Sequence, residues 1–145
     1  MAGYEKPLPV IREETKEFWE GCRRHELLIQ RCKECQTYRF PPRPLCHQCQ
    51  SGNVEWARSS GKGTLYSFTI LQHAKNSPLY PVFTKEAPYA VILVELPDVG
   101  GLHMVSNILD CKLEDIKIGM PVEVVFDDVT EEITLPKFKP SKEQR

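Results

Sequence analysis

The chain is predicted to be mainly β: an N-terminal helix, a rubredoxin-like four-cysteine zinc ribbon, then a small β-barrel of the OB type. Three observations predict it. Two Cys-x-x-Cys pairs, Cys32/Cys35 and Cys46/Cys49, are separated by ten residues. Helical periodicity is confined to a stretch ahead of them. Behind them run short apolar segments broken by glycine- and proline-bearing turns, the texture of a small all-β unit. At 145 residues there is room for one domain, or for a small module fused to a compact one. The expected division is a helical segment over 1–30, the ribbon over 31–58 and the barrel over 59–145.

The helix is expected from about Arg12 to Arg24. Glu13 and Glu14 lie in its first turn and Arg23 and Arg24 in its last, as the helix dipole favours. Ile11, Thr15, Phe18, Trp19 and Cys22 share one stripe at three-to-four spacing. That stripe either packs on the rest of the molecule or presents Phe18 and Trp19 to another protein, and both alternatives stay open. Glu26 to Arg31 then reads as a strand leading into Cys32.

The cysteine spacing is C-x2-C-x10-C-x2-C. Each Cys-x-x-Cys turn puts two thiolates on one side of a tight knuckle. Two facing knuckles make a tetrahedral four-thiolate cage with no open coordination position, the geometry of structural zinc. Iron takes the same ligand set and is not excluded. A redox Cys-x-x-Cys needs one pair beside a βαβ pattern, which is absent. His47 beside Cys46 is read as a solvated loop residue, and Cys22 and Cys111, without partners at ligand spacing, as small buried hydrophobes. Between the knuckles lies QTYRFPPRPL, residues 36–45. Tyr38 and Phe40 are rigid apolar anchors, and Arg39 and Arg43 are forked donors suited to carboxylate or phosphate. Phe40 and Leu45 either tuck under the ribbon or face a partner.

Strands are expected over Thr64–Leu71, Ala90–Leu96, Leu102–Ile108 after the Gly100-Gly101 turn, Val122–Phe126 and Ile133–Phe138. The long proline-bearing loop His73–Pro88 is expected to be functional or mobile.

A net charge of −1 argues against a general polyanion binder. Charge is uneven: six basic against two acidic residues from Arg23 to Arg43, and eight acidic against two basic from Asp110 to Glu132. Met1 to Val10 lacks the apolar core of a signal peptide, and the longest apolar run, Ala90–Val94, is too short to span a bilayer. A soluble, cytoplasmic protein is expected, its cysteines metal ligands rather than disulfides. G-x-S-x-G, Walker and dinucleotide-binding glycine motifs are missing. The histidines His25, His47, His73 and His103 are scattered, and none stands beside a nucleophile or carboxylate that marks a dyad. The chain therefore reads as a binding or scaffolding module, not a catalyst on its own.

The ordered motifs carry a resemblance. They are Phe18-Trp19-Glu20-Gly21, Leu28-Ile29-Gln30-Arg31-Cys32-x-x-Cys35, Phe40-Pro41-Pro42-Arg43-x-x-Cys46-x-x-Cys49, Trp56, Ser60-Gly61-Lys62-Gly63-Thr64-Leu65, Ile118-Gly119-Met120-Pro121-Val122 and Leu135-Pro136-Lys137-Phe138. Together the chain resembles the acyl-CoA-associated zinc-ribbon plus OB-fold proteins, long filed as a domain of unknown function. Gln36 departs from the glycine common after the second cysteine, and Pro97 to Leu102 departs from the usual strand–turn. The resemblance implies an accessory subunit of a thiolase-fold partner, in a hetero-oligomer. It implies zinc held by Cys32, Cys35, Cys46 and Cys49. The partner would hold the nucleophilic cysteine and most of the CoA of a 3-oxoacyl-CoA, benzoylsuccinyl-CoA among the candidates. Tyr38, Arg39, Phe40 and Arg43, with Phe18 and Trp19 on the helix, would dock at its substrate entrance. The competing class is a single-stranded nucleic-acid-binding ribbon and barrel. Its phosphates would meet the acidic barrel half unfavourably, so neither nucleic acid nor membrane is expected as a partner.

Overall fold

The computed structural model describes residues 4–72 and 88–142; the predicted loop His73–Pro88 falls, but for Pro88, outside them. Among the described residues one α-helix, α1 (Lys16–Arg23), precedes eight strands: β1 (Leu27–Cys32), β2 (Tyr38–Arg39), β3 (Val54–Ser59), β4 (Lys62–Leu71), β5 (Tyr89–Leu96), β6 (Leu102–Asn107), β7 (Pro121–Asp128) and β8 (Thr134–Pro140). Among the described residues no helix is long and apolar enough to cross a membrane.

The helix starts four residues later than the periodicity predicts. Thr15 explains the difference: its hydroxyl accepts from the Arg12 amide at 2.9 Å and donates to the Arg12 carbonyl at 3.2 Å. That local loop holds residues 12–15 in a turn, because the side chain competes with the helical backbone ladder. Gly21 lets the helix lie close on β1, since a Cβ there would stand 2.9 Å from Leu28 Cγ. Strand β3 was not expected. Its apolar pattern is weak, and it forms by pairing along the whole of β1, from Leu27↔Ser59 to Cys32↔Val54.

The ribbon sheet has the order β2-β1-β3, and the second sheet the order β6-β5-β4-β7-β8. Strand β4 pairs with β7 only at its start, Lys62 to Thr64, and with β5 from Thr64 onward. A register shift between Leu65 and Ser67 bulges β4 and coils the sheet. The curl brings its outer strands together. Ile108 bridges Phe138 in parallel, the Leu109 amide donates to the Phe138 carbonyl at 2.7 Å, and the Ser106 hydroxyl donates to the Pro136 carbonyl at 2.8 Å. This is the predicted OB-like architecture, with strands starting and ending within about two residues of expectation.

One apolar cluster joins the parts. Phe18 and Cys22 of α1 and Leu27 and Ile29 of β1 meet Leu65, Ile92, Val94, Met104, Val122 and Phe138 of the barrel. Cys22 is therefore the small core residue expected of it; burial pushes its thiol up to about 12. Polar ties reinforce the junction. Asp98, in the turn after β5, accepts from the Ser59 hydroxyl at 2.8 Å and the Ser60 amide at 2.7 Å. His25, just past the helix, meets both Asp128 carboxylate oxygens at 3.1 and 3.2 Å and stacks on Phe126.

Candidate metal centre

The two knuckles are built alike. In the first, the Gln36 amide donates to the Cys32 carbonyl and the Cys32 amide to the Thr37 carbonyl; in the second, Gln50 donates to Cys46 and Cys46 to Ser51, all at 2.9–3.0 Å. The residue after each second cysteine turns into the left-handed region, Gln36 at φ +68° and Gln50 at φ +66°. That conformation explains why glycine is the common choice there.

The sheet brings the knuckles face to face. Cys32 Sγ lies 3.5 Å from Cys49 Sγ, Cys35 Sγ lies 3.5 Å from Cys46 Sγ, and all four sulfurs fall within 4.8 Å of one another. Four sulfurs about 2.3 Å from a central ion stand about 3.8 Å apart along each tetrahedral edge. The donor set therefore fits one tetrahedral ion. His47 is exposed and outside the cluster.

Backbone amides around the first sulfur of each knuckle favour its thiolate form. Backbone N–H groups donate to the sulfurs, so the Cys35 amide holds the Cys32 thiol below its ordinary value and the Cys49 amide draws Cys46 down to about 6. The Ser51 amide favours a Cys49 thiolate, but the hydrogen-bonded neighbours Cys32, Cys35 and Cys46, with burial, push it up to about 12. Adjacent thiolates repel one another until a cation sits between them, so the site is electrostatically incomplete without a metal.

The expected contact residues differ in exposure. Arg43 is exposed. Tyr38 is half-buried; the Arg31 guanidinium lies 5.2 Å from its ring centre, and the ring packs on Gly100 of the barrel. Trp19 and Phe40 are half-buried, each packed on Phe18, at ring-centre distances of 4.9 and 5.4 Å. Phe18 is interior. Arg39, in β2, is 3 % exposed, and its Nη2 donates to the Arg43 carbonyl at 3.2 Å. Leu45, by contrast, is exposed. Sequence reasoning missed Gln30, a buried side chain whose Oε1 accepts from the Arg43 amide at 2.8 Å and so braces the loop. Nothing in its local sequence distinguishes it from a surface glutamine.

Two clefts border these elements. One, of about 360 Å³, lies between the start of α1 and the ribbon and includes Glu14, Glu17, Gln30, Arg43 and Trp56. The other, of about 450 Å³, lies at one end of the barrel and includes Tyr4, Tyr89, Asn107, Cys111 and Lys137. Among the described residues neither places an activated nucleophile beside a base. Burial and the Asp115 charge push the Cys111 thiol up, which disfavours its reactive thiolate.

Residues 19–55 match the ChsH2 rubredoxin-like zinc ribbon domain, and residues 56–127 the ChsH2 C-terminal OB-fold domain. The chain belongs to the ChsH2 zinc-ribbon and OB-fold family. Among its relatives is a DUF35 domain-containing scaffold protein of Methanocaldococcus jannaschii, 38% identical over 124 residues, covering 81% of this chain and 83% of the relative. A probable enoyl-CoA hydratase alpha subunit of Thermomonospora curvata is 36% identical over 139 residues, covering 96% of this chain. This chain spans only 41% of that hydratase subunit. In the solved structure of the Ltp2-ChsH2(DUF35) aldolase, one chain superposes with a TM-score of 0.78 at 34% identity, covering 92% of this chain and 98% of that one. A ChsH2-type ribbon followed by a ChsH2-type barrel thus accounts for most of the molecule.

Proposed function

We propose that this chain is the non-catalytic, zinc-binding subunit of a thiolase-type complex that cleaves or forms a 3-oxoacyl-CoA, with an aromatic one such as benzoylsuccinyl-CoA among the candidates. The subunit docks on the catalytic partner and completes its substrate entrance. The observation that carries this reading is the end-to-end likeness to a ChsH2 chain of an aldolase. Relatives named as scaffold proteins and as hydratase subunits support the accessory role. The site chemistry agrees with it: a cage of four thiolates leaves a zinc ion no open position for water or substrate, so the metal serves structure. Arg43, Tyr38, Phe40 and Trp19 form the contact, with Phe18 and Arg39 supporting it from inside.

The test is capture of the tagged chain's partner from its native host at moderate salt, with identification by mass spectrometry and assay of the recovered complex. A thiolase-fold protein in near-stoichiometric amount, its turnover reduced by Arg43→Ala in the small subunit, is the expected result. Recovery of a hydratase or aldolase instead would remove the thiolase assignment and keep the accessory one. A chain that binds none of these enzymes would remove both.

A further inference from the structure

Glu13, Glu14 and Glu17, around the start of α1, line the 360 Å³ cleft on the ribbon. Among the described residues none of the three pairs with a basic side chain, whereas nearby carboxylates do: Glu26 meets Arg24 and Arg58, and Glu55 meets Arg31. Arg12 and Lys16 interleave the glutamates in sequence but do not line the cleft. The lining therefore carries three carboxylates against one guanidinium, that of Arg43. Like charges gathered without a counter-ion repel one another, and together they draw in a cation.

The ribbon contributes groups of another kind. Gln30 of β1 and Trp56 of β3 are cross-strand partners, so their side chains share one face of the sheet, and both line the cleft. Gln30 is only 2 % exposed. The Arg43 amide donates to its Oε1 at 2.8 Å. An N–H must meet the oxygen of the side-chain amide, so that contact fixes which way the amide points. Its Nε2 then keeps two hydrogens without an acceptor among the described residues, beside the open cleft. A donor so deeply buried is costly unless an acceptor meets it. Trp56, half-buried, adds an aromatic surface that favours cations.

Carboxylates, an indole and one unmet donor match the groups of an arginine residue of a second protein. Its guanidinium suits the carboxylates and the indole, and its backbone carbonyl suits the Gln30 amide. We propose that this cleft seats an arginine side chain presented by the catalytic partner, held by Glu14 and Glu17, stacked on Trp56 and anchored through its carbonyl to Gln30 Nε2. Lysine fits less well, because a compact ammonium neither stacks nor forks. The inference rests on the accessory-subunit reading only for the source of the arginine; the cleft is a property of this chain.

The zinc-loaded full chain is titrated with Nα-acetyl-arginine methylamide at low ionic strength, and the Gln30 side-chain amide and Trp56 indole N–H are followed by NMR. Both signals are expected to move together, with a dissociation constant on the order of 1 mM. The uncharged citrulline analogue is expected to leave them in place. Glu14→Gln with Glu17→Gln should weaken binding roughly fivefold or more, and Glu132→Gln on the barrel should not. Equal binding of the citrulline analogue, or no movement of these two signals, would overturn the receptor. Equal binding of the lysine analogue would overturn the choice of arginine. A response to calcium alone would make the glutamates a metal site and sink the proposal. The source is tested apart, on the enzyme recovered with the tagged chain. The double glutamine variant is expected to retain that enzyme roughly fivefold less well at low salt; equal retention would overturn the docking role even where the arginine compound binds. A chain that recovers no enzyme would remove the accessory reading and the docking role together, and the titration would still decide the cleft.

Discussion

The knuckles, Cys32 to Asn53, and the barrel, Lys62 to Pro140, are of one chain and one apolar cluster, yet they are held by different forces. The barrel encloses Leu65, Ile92, Val94, Leu96, Met104, Val122 and Phe138. Between Cys32 and Asn53 the buried side chains are two cysteines, Arg39 and Pro42. A segment that short on apolar burial cannot offset the entropy of ordering its backbone by hydrophobic burial alone. Four sulfurs around one ion would supply what is missing. The barrel needs no such staple, because a closed sheet buries its inward residues on every strand.

The largest effect should come from the metal. Cys46→Ser, or exhaustive chelation, removes binding energy on the order of 10 kcal/mol, most of which is folding energy for the knuckles. Hydrogen exchange should then become fast over residues 32–53 and stay slow in β5 and β6; slow exchange in both regions would contradict a metal-built ribbon. Next comes the barrel core. Phe138→Ala should cost about 3–5 kcal/mol, lowering the melting transition while zinc content per folded chain stays at one. Loss of zinc with an intact barrel signal would show that the two regions depend on one another in the opposite sense.

Smaller effects test the junction. Burial pushes the Asp98 carboxyl up, but the Ser60 amide and Ser59 hydroxyl outweigh it and hold it below its ordinary value. A depressed carboxylate stabilises the fold above its unfolded value, so this contribution is present at neutral pH and is lost as pH falls below about 4. Asp98→Asn should cost about 0.5–1 kcal/mol at pH 7, the Asp98 carboxylate itself being exposed, and should flatten the acid limb of stability against pH. An unchanged limb would assign that slope elsewhere. The smallest effect is expected at His25. The Thr134 hydroxyl and then His25 hold the Asp128 carboxyl below its ordinary range, so His25→Ala should shift the melt less than Asp98→Asn does, and the difference should vanish as Asp128 protonates in acid.

Legibility in sequence followed the range of the forces. The ligand set was readable because a Cys-x-x-Cys knuckle is a local object whose spacing sets its geometry. The barrel strands were readable because a short apolar run such as Ala90 to Leu96, bounded by the Gly100-Gly101 turn, is itself a local signal. The start of α1 was misjudged where Thr15 diverts Arg12 into a turn, a competition that helical periodicity does not record. Strand β3 was missed because Val54 to Ser59 becomes a strand only against β1, more than twenty residues away in the chain.

By itself, then, the amino-acid sequence determined the four-thiolate centre, the order helix–ribbon–barrel and the family to which the chain belongs. These depend on residue identity at fixed spacing. Only the tertiary structure decided that Phe18 is core, that Gln30 braces the loop between the knuckles, and that Arg39 is buried rather than offered to solvent. A strand residue can face either way, and which way is set by what the other strands and the helix place against it.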